Sequence, residues 1–324
     1  MRYQTGLARL FQITGLLLVM LASSSGSMSQ QRCCATSRTS TARPCPFDRS
    51  AFSFTGTPLE QARCLLRPVK IRGDLEPPLA RLPDPLEDLI GKPVTITVAD
   101  LKQYLSAHGI AATDIGGELD RPLSPADSAE PRKERARYFV IHDTSTPNYV
   151  NAWPSNINEE AWSGNRLGGV NPDITHVYVN RLGQSRTVVD FERVLPPTNF
   201  GTKFACCLGE RRKGLFIHVE LIQPRRCDSS RGRCTPERPG SAIASRNSND
   251  NIAPQPGFTT AQLDRLALLY VAASVRKTEW LIPAFHASMD ATLQNAHDDP
   301  QNFDLAEWAR SIAKLIAELR AGPR

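Results

Sequence analysis

Apolar and polar positions change period along the chain. Thr57-Pro58-Leu59-Glu60 supplies an N-cap, a proline at the first helical position and a glutamate at the third. This capping box predicts a short helix through Leu66. A proline-rich stretch follows from Pro77 to Pro85, then a second helix from about Ala99 to His108, with Gly109 placed to end it. Residues 57–118 therefore read as a small, mainly helical N-terminal module, and the charged, proline-containing residues 119–137 as a linker or surface excursion. Strand signals begin at Tyr138-Phe139-Val140-Ile141, a short run of the buried kind. Ile174 to Asn180 and Gln184 to Asp190 form a hairpin signal around Arg181-Leu182-Gly183, and Leu215 to Ile222 is a further apolar strand. Residues 223–257 form a polar loop insertion rich in Arg, Ser, Asn and Pro.

Helical spacing returns after Thr259 or Thr260, where Leu263, Leu266, Ala267, Leu269, Tyr270 and Ala273 make one stripe. It recurs after Asp304, where Leu305, Trp308, Ile312, Leu315, Ile316 and Leu319 make another. The segment between these helices, including 283–304, reads as a loop. The pattern over residues 138–322 predicts an α/β domain, a mixed central β-sheet flanked by helices.

Composition adds a compartment. Arg2 and Arg9, the apolar run Ile13 to Ala22 and the small residues Ser23 to Ser27 form the three-part pattern of a secretory signal, here residues 1–26, with an uncleaved anchor as the alternative. The apolar run is shorter than the roughly twenty residues a bilayer span needs, and no other segment is long or apolar enough. The chain is expected to be exported, periplasmic or secreted, with a Cys/Ser/Arg-rich leader over 27–56. Export permits disulfides. The eight cysteines fall into two groups, Cys33, Cys34, Cys45, Cys64 and Cys206, Cys207, Cys227, Cys234, which suggests two bridges within each. A zinc site in the second group is the alternative, although Cys206 and Cys207 are adjacent and no C-x2-C pair occurs.

Six histidines are few enough to weigh singly. His142 ends an apolar strand and opens the polar run Asp143-Thr144-Ser145. His286, His297 and Asp299 gather in a non-periodic stretch that core packing does not require. Two histidines from distant segments and one aspartate meet the demand of a metal for rigid N and O ligands. Glu220 lies in the apolar strand Phe216-Ile217-His218-Val219-Glu220-Leu221, where a carboxylate is costly unless it is paired or faces a cavity. Period two puts His218, Glu220 and Ile222 on one face.

These residues resemble, in order, the motifs of the zinc-dependent N-acetylmuramoyl-L-alanine amidases, the family shared with T7-type lysozyme and the peptidoglycan recognition proteins. The matching segments are Phe139 to Ser145, Thr175 to Val179 with Gly183-Gln184, His218 to Leu221, Ile282-Pro283 to His286, and Asp299-Pro300 before Phe303-Asp304. The resemblance covers about half the chain, from Tyr138 to Trp308. It implies a Zn2+ cofactor held by His142, His286 and Asp299, and Glu220 as catalytic acid/base. It implies that His297, where many bacterial members carry a lysine, stabilises a developing oxyanion. It also implies a peptidoglycan (muropeptide) substrate cut between N-acetylmuramic acid and L-alanine. His176 matches a position beside the groove that is often structural. The chain departs from the family at Asp143, which stands where a second histidine is often found. The spacing of His286 and Asp299, thirteen residues, is longer than in short members, and minimal members have no counterpart to the 223–257 segment.

Some relatives of this fold only bind peptidoglycan, so a non-catalytic binding protein is the alternative; the filled ligand and Glu220 positions argue against it. Arg211-Arg212-Lys213 and Arg225-Arg226 raise nucleic-acid binding as a third class. The net charge of +6 is too mild to select it, and an exported protein rarely meets nucleic acid. A solvated basic surface, or one facing an anionic wall polymer, is the expected role of these residues.

Overall fold

A computed structural model describes residues 33–36, 43–70, 75–171, 173–196, 199–227, 252–294 and 296–322. The expected signal over 1–26, most of the 223–257 insertion and Cys234 lie outside the described residues. In chain order the elements are β1 (Phe47–Asp48), β2 (Ser53–Phe54), α1 (Pro58–Leu65), α2 (Leu86–Leu89), α3 (Val98–Ala107), β3 (Tyr138–Asp143), β4 (Asn148–Val150), β5 (Val177–Val179), β6 (Ser185–Thr187), α4 (Lys203–Leu208), β7 (Phe216–Leu221), β8 (Arg225–Cys227), α5 (Thr260–Lys277), β9 (Ile282–Phe285), α6 (His286–Met289) and α7 (Leu305–Ala321).

The central sheet has five strands in the order β6-β5-β7-β3-β9. β5, β7, β3 and β9 run parallel and β6 is antiparallel to β5, so the sheet is mixed. Alternation along β3 sends Phe139 and Ile141 to one face and Tyr138, Val140 and His142 to the other. The first face packs on α5 and α7. There Phe139 meets Tyr270 edge-on at 5.4 Å between ring centroids, and Tyr270 meets Trp308 at 5.3 Å. The second face is covered at the strands' amino ends by Phe54 and Phe216, 5.3 and 5.6 Å from Tyr138, with Phe204 stacked 5.1 Å from Phe54. At the carboxyl ends the same face is open to a cleft.

The caps follow local chemistry. Thr57 and Glu60 close the expected box on α1. Thr97 and Asp100 form another, starting α3 slightly earlier than the apolar pattern suggests. Thr259 caps α5 and Asp304 caps α7. One expectation is corrected: the segment after Trp280 is not simply a loop. Ile282–Phe285 pairs with β3, and His286–Met289 is a helical turn. Pro283 is compatible with this strand because β9 lies at the sheet edge, where a missing N–H leaves no neighbour unpaired.

Residues 57–118 share one hydrophobic core with the sheet. Leu65, Leu101 and Leu105 belong to the same buried cluster as Phe139 and Ile217. Residues 119–137 are pinned rather than loose. Leu123 and Ala136 are buried, and the Arg276 guanidinium donates to the carbonyls of Gly116, Arg121 and Pro122 at 2.7–3.1 Å.

The cysteine expectation is also corrected. Cys33 pairs with Cys206 and Cys34 with Cys207, across the two groups, at Cα separations of 5.7 and 5.1 Å. Cys45–Cys64 is the within-group pair, with Cα atoms 5.9 Å apart. Grouping by sequence fails because folding brings residues 33–34 onto α4, and loop length sets only a weak entropic preference. These bridges suggest an oxidising, exported compartment. No helix among the described residues is long and apolar enough to cross a membrane.

The Tyr138 hydroxyl joins the N-terminal segment to β3, accepting from Phe54 N–H at 2.9 Å and donating to Gln61 Oε1 at 2.9 Å. Tyr138→Phe leaves both groups without this partner. It is expected to cost about 1–3 kcal/mol in unfolding free energy, measured by denaturant titration.

Candidate metal centre

The parallel register builds the site. His142 is the cross-strand neighbour of Glu220, which in turn neighbours Tyr178. Ile141 lies opposite Phe285, so His286 follows immediately beyond the end of β9. His142, Glu220 and His286 thus stand in a row at the carboxyl ends of three parallel strands, where open α/β sheets place their ligand crevices. Asp299 closes the row from the loop before α7.

His142, His286 and Asp299 are buried, and their donor atoms lie within 4.8 Å of one another. The Nδ1 atoms of His142 and His286 are 3.0 Å apart. Asp299 Oδ2 is 3.2 Å from His286 Nδ1 and 3.6 Å from His142 Nδ1. Metal bonds of about 2.0–2.1 Å in tetrahedral array put donors roughly 3.3 Å apart. The three atoms therefore have the spacing, chemistry and convergence that a metal ion requires.

Outer partners fix which ring nitrogens face inward. His286 Nε2 is 3.0 Å from Asp290 Oδ2, and a carboxylate only accepts, so Nε2 carries a proton. The same carboxylate accepts from the backbone N–H groups of Lys203 and Phe204 at 2.9 and 2.8 Å. His142 Nε2 is 2.9 Å from His218 Nδ1. The tautomer in which Nε2–H donates there leaves the Nδ1 lone pair of His142 facing the cluster, as a metal ligand requires. Such outer partners set ring orientation and ligand basicity.

Electrostatics agrees. Burial, followed by the neighbouring His286, drives the His142 pKa well below the ordinary histidine value, so it is neutral. Burial also opposes charge on His286, but Asp299 and Asp290 outweigh it and hold this histidine well above its ordinary value. His286 thus keeps its proton against an ionised Asp299, and a metal ion held by these residues would displace that proton.

Glu220 is buried beside the cluster, with Oε1 4.0 Å from His142 Nδ1. Its Oε2 makes no hydrogen bond among the described residues. Burial, and then the nearby Asp299 and Asp143, raise its pKa well above the usual carboxylate value. His297 sits at the mouth. Its side chain is 54% exposed, its Nδ1 is 3.7 Å from Asp299 Oδ1, and its ring lies 4.8 Å from that of His286. The structure therefore brings all five expected site residues together. They line or adjoin a cleft of about 1120 Å³, walled by Asn148, Ser163, Arg166, Asn171, Asn199 and Lys203.

Asp143 lies behind the cluster. Its carboxylate takes a fully buried ion pair from Arg225 at 2.8 Å and accepts from Gln301 N–H at 3.2 Å, while its own N–H donates to Asp299 Oδ2 at 3.2 Å. Asp143 therefore anchors the Asp299 loop. This corrects the expectation of a basic outer surface in part, since Arg211 stays exposed and Arg226 half-buried. Arg225 is buried, Arg211 and Arg212 pair with Asp127, and Lys213 is buried against Pro196 O at 2.5 Å. A burst of like charge does not reveal which members face inward. Asp290 and Asp143 were not assigned roles from sequence; the four-residue spacing of His286 and Asp290 was the available signal for the first.

Comparison of the chain with protein-family models, curated proteins and solved structures returns no match.

His176 is structural. Its Nδ1 accepts from His218 N–H at 3.1 Å and its Nε2 donates to Arg193 O at 3.0 Å. Burial lowers its pKa to about 4 from 6.5. In the unfolded chain it takes up a proton first, so stability is full above pH 6.5 and is lost as pH falls towards 4. The loss is roughly 3 kcal/mol. His176→Gln is expected to flatten that part of the stability–pH curve by this amount, measured by urea unfolding at a series of pH values.

Proposed function

We propose that the protein is a zinc-dependent hydrolase of the amide bond between N-acetylmuramic acid and L-alanine in peptidoglycan. The observation that carries this reading is the buried His142/His286/Asp299 triad with Glu220 beside it at the mouth of an open cleft. Two neutral-capable imidazoles and one carboxylate form a donor set suited to zinc, and they leave room for a fourth ligand. The order of sequence motifs adds the substrate: the resemblance to the amidases rests on these same residues. The disulfides and the apolar N-terminal run fit a protein exported to where the cell wall lies. The cleft wall mixes polar side chains such as Asn148, Arg166 and Asn199 with apolar ones such as Ile174 and Phe200, a combination that suits the sugar and peptide parts of a glycopeptide.

When bound, zinc supplies Lewis acidity to the scissile carbonyl and lowers the pKa of water towards neutrality. The remaining work belongs to side chains. Glu220 takes the proton of the attacking water on a carboxylate oxygen, held ready because no group among the described residues bonds Oε2. It then delivers that proton to the departing alanine nitrogen. A carboxyl group whose pKa is raised by burial is suited to both halves of this exchange. His297, at the mouth, presents an N–H to the oxygen that gains negative charge. Asp143 and Arg225 hold the Asp299 loop, and Asp290 holds His286.

Digestion of purified peptidoglycan, read by mass spectrometry, tests the reading. Intact stem peptides beginning at L-alanine are expected, and their release should stop with a chelator and resume with added zinc. Glu220→Ala should retain metal while its rate falls by about 10²–10⁴-fold. Release of disaccharides, or of peptides cut within the stem, overturns the amidase assignment. Tight binding without cleavage supports a recognition protein instead.

A further inference from the structure

Two of the three described disulfides converge on the candidate metal centre. Cys33–Cys206 and Cys34–Cys207, each spanning 173 residues, fasten residues 33–36 to α4. The same short segment grips a second piece of chain: Gln294 N–H donates to Ala35 O at 2.7 Å, and Thr36 pairs with Leu293 in an antiparallel bridge. α4 and the 290–294 segment meet again at Asp290. Its fully buried carboxylate receives the first two N–H groups of α4 and the Nε2–H of His286. Cys33 and Cys206 line the same cleft as His286 and Asp299. A closed circuit therefore runs from the bridges through α4 to Asp290 and His286, and returns through residues 290–294 to residues 33–36.

We infer that metal binding at His142, His286 and Asp299 depends on oxidation of Cys33–Cys206 and Cys34–Cys207, with Asp290 as the positioning residue that transmits their state. The inference rests on the metal-binding reading of the triad. α4 has only six residues, too few to hold its place by helical bonding alone. Its first two N–H groups aim the Asp290 carboxylate, which fixes the orientation and tautomer of His286. A phosphine takes each bridge to two thiols, the protons and the oxygen of the resulting phosphine oxide coming from water. Cutting both bridges frees residues 33–36 from α4 and removes the covalent anchor of the helix. The metal is then held by a ligand whose outer support is loose. A chain of this design loads its metal after it reaches an oxidising compartment.

The test is competition for Zn2+ against a chromophoric chelator, with circular dichroism confirming the fold. Relative to oxidised wild type, C33S/C34S/C206S/C207S is expected to bind about 10–100-fold more weakly, the usual cost of losing an outer-shell partner. Serine also avoids new thiol ligands. Asp290→Asn, with every bridge intact, should show a loss of the same order without a matching loss of thermal stability. C45S/C64S should keep wild-type affinity, because residues 33–36, α4 and 290–294 stay joined. If the four-serine variant does not fold, wild type reduced after folding and alkylated at its thiols takes its place. Equal affinity in the oxidised and bridge-free forms, or in Asp290→Asn and wild type, overturns the inference while leaving the metal site standing. Failure of oxidised wild type to bind Zn2+ overturns the metal reading, and the inference with it.

Discussion

Withdrawing charge from water at the carboxyl ends of β3, β7 and β9 is the constraint around which the structure is organised. His142, His218, His286, Glu220, Asp143, Asp290 and Asp299 are all buried there. An isolated charge in that position is prohibitive, so each must be neutralised, paired or assigned a ligand. Asp143 is matched by Arg225 and Asp290 by two backbone N–H groups and His286. His142 and His218 stay neutral through burial. Left without a hydrogen bond among the described residues are one oxygen of Glu220 and Asp299 Oδ1 at the triad, and Gln223 Oε1 and Ser288 Oγ in the adjoining segments. Unpaired polar atoms gathered beside a cleft are characteristic of a site that binds or reacts.

The supports reach far from the cleft. Arg225 belongs to β8, which pairs with β4, so a small two-stranded sheet holds the cation behind Asp143. Gly201, at φ +71°, lies so close to His218 that an added Cβ would come within 2.4 Å of the ring. That approach seals the outer side of the histidine that supports His142. The N-terminal segment, rather than decorating a finished domain, contributes Phe54 and α1 to the core and Cys33 to the lining of the cleft.

The elements governed by near neighbours were legible in the chain. Helix starts at Thr57, Thr259 and Asp304 are decided within four residues, by a side chain meeting a backbone N–H. The apolar strands β3 and β7 and the turn at Gly183 are equally local. The strand β9 was not legible, because four buried residues containing a proline have no periodicity, and only the free edge beside β3 makes them a strand. The cysteine pairing was not legible for a related reason: proximity in sequence says little when the paired residues are 173 residues apart.

By itself the sequence determined the chemical inventory: a mixed α/β domain, a few histidines and acids in non-periodic places, and an ordered set of motifs that singled out His142, Glu220, His286, His297 and Asp299. Residue type and period carry that information because they fix what a side chain can donate and which face it occupies. Tertiary structure decided the arrangement. The parallel register put His142 beside Glu220. Asp290 and His218 selected the nitrogens that face inward, and a buried aspartate turned Arg225 from a surface charge into an internal support. Those outcomes depend on distances between segments far apart in the chain, and on the cost of leaving any one of these groups unpartnered away from water.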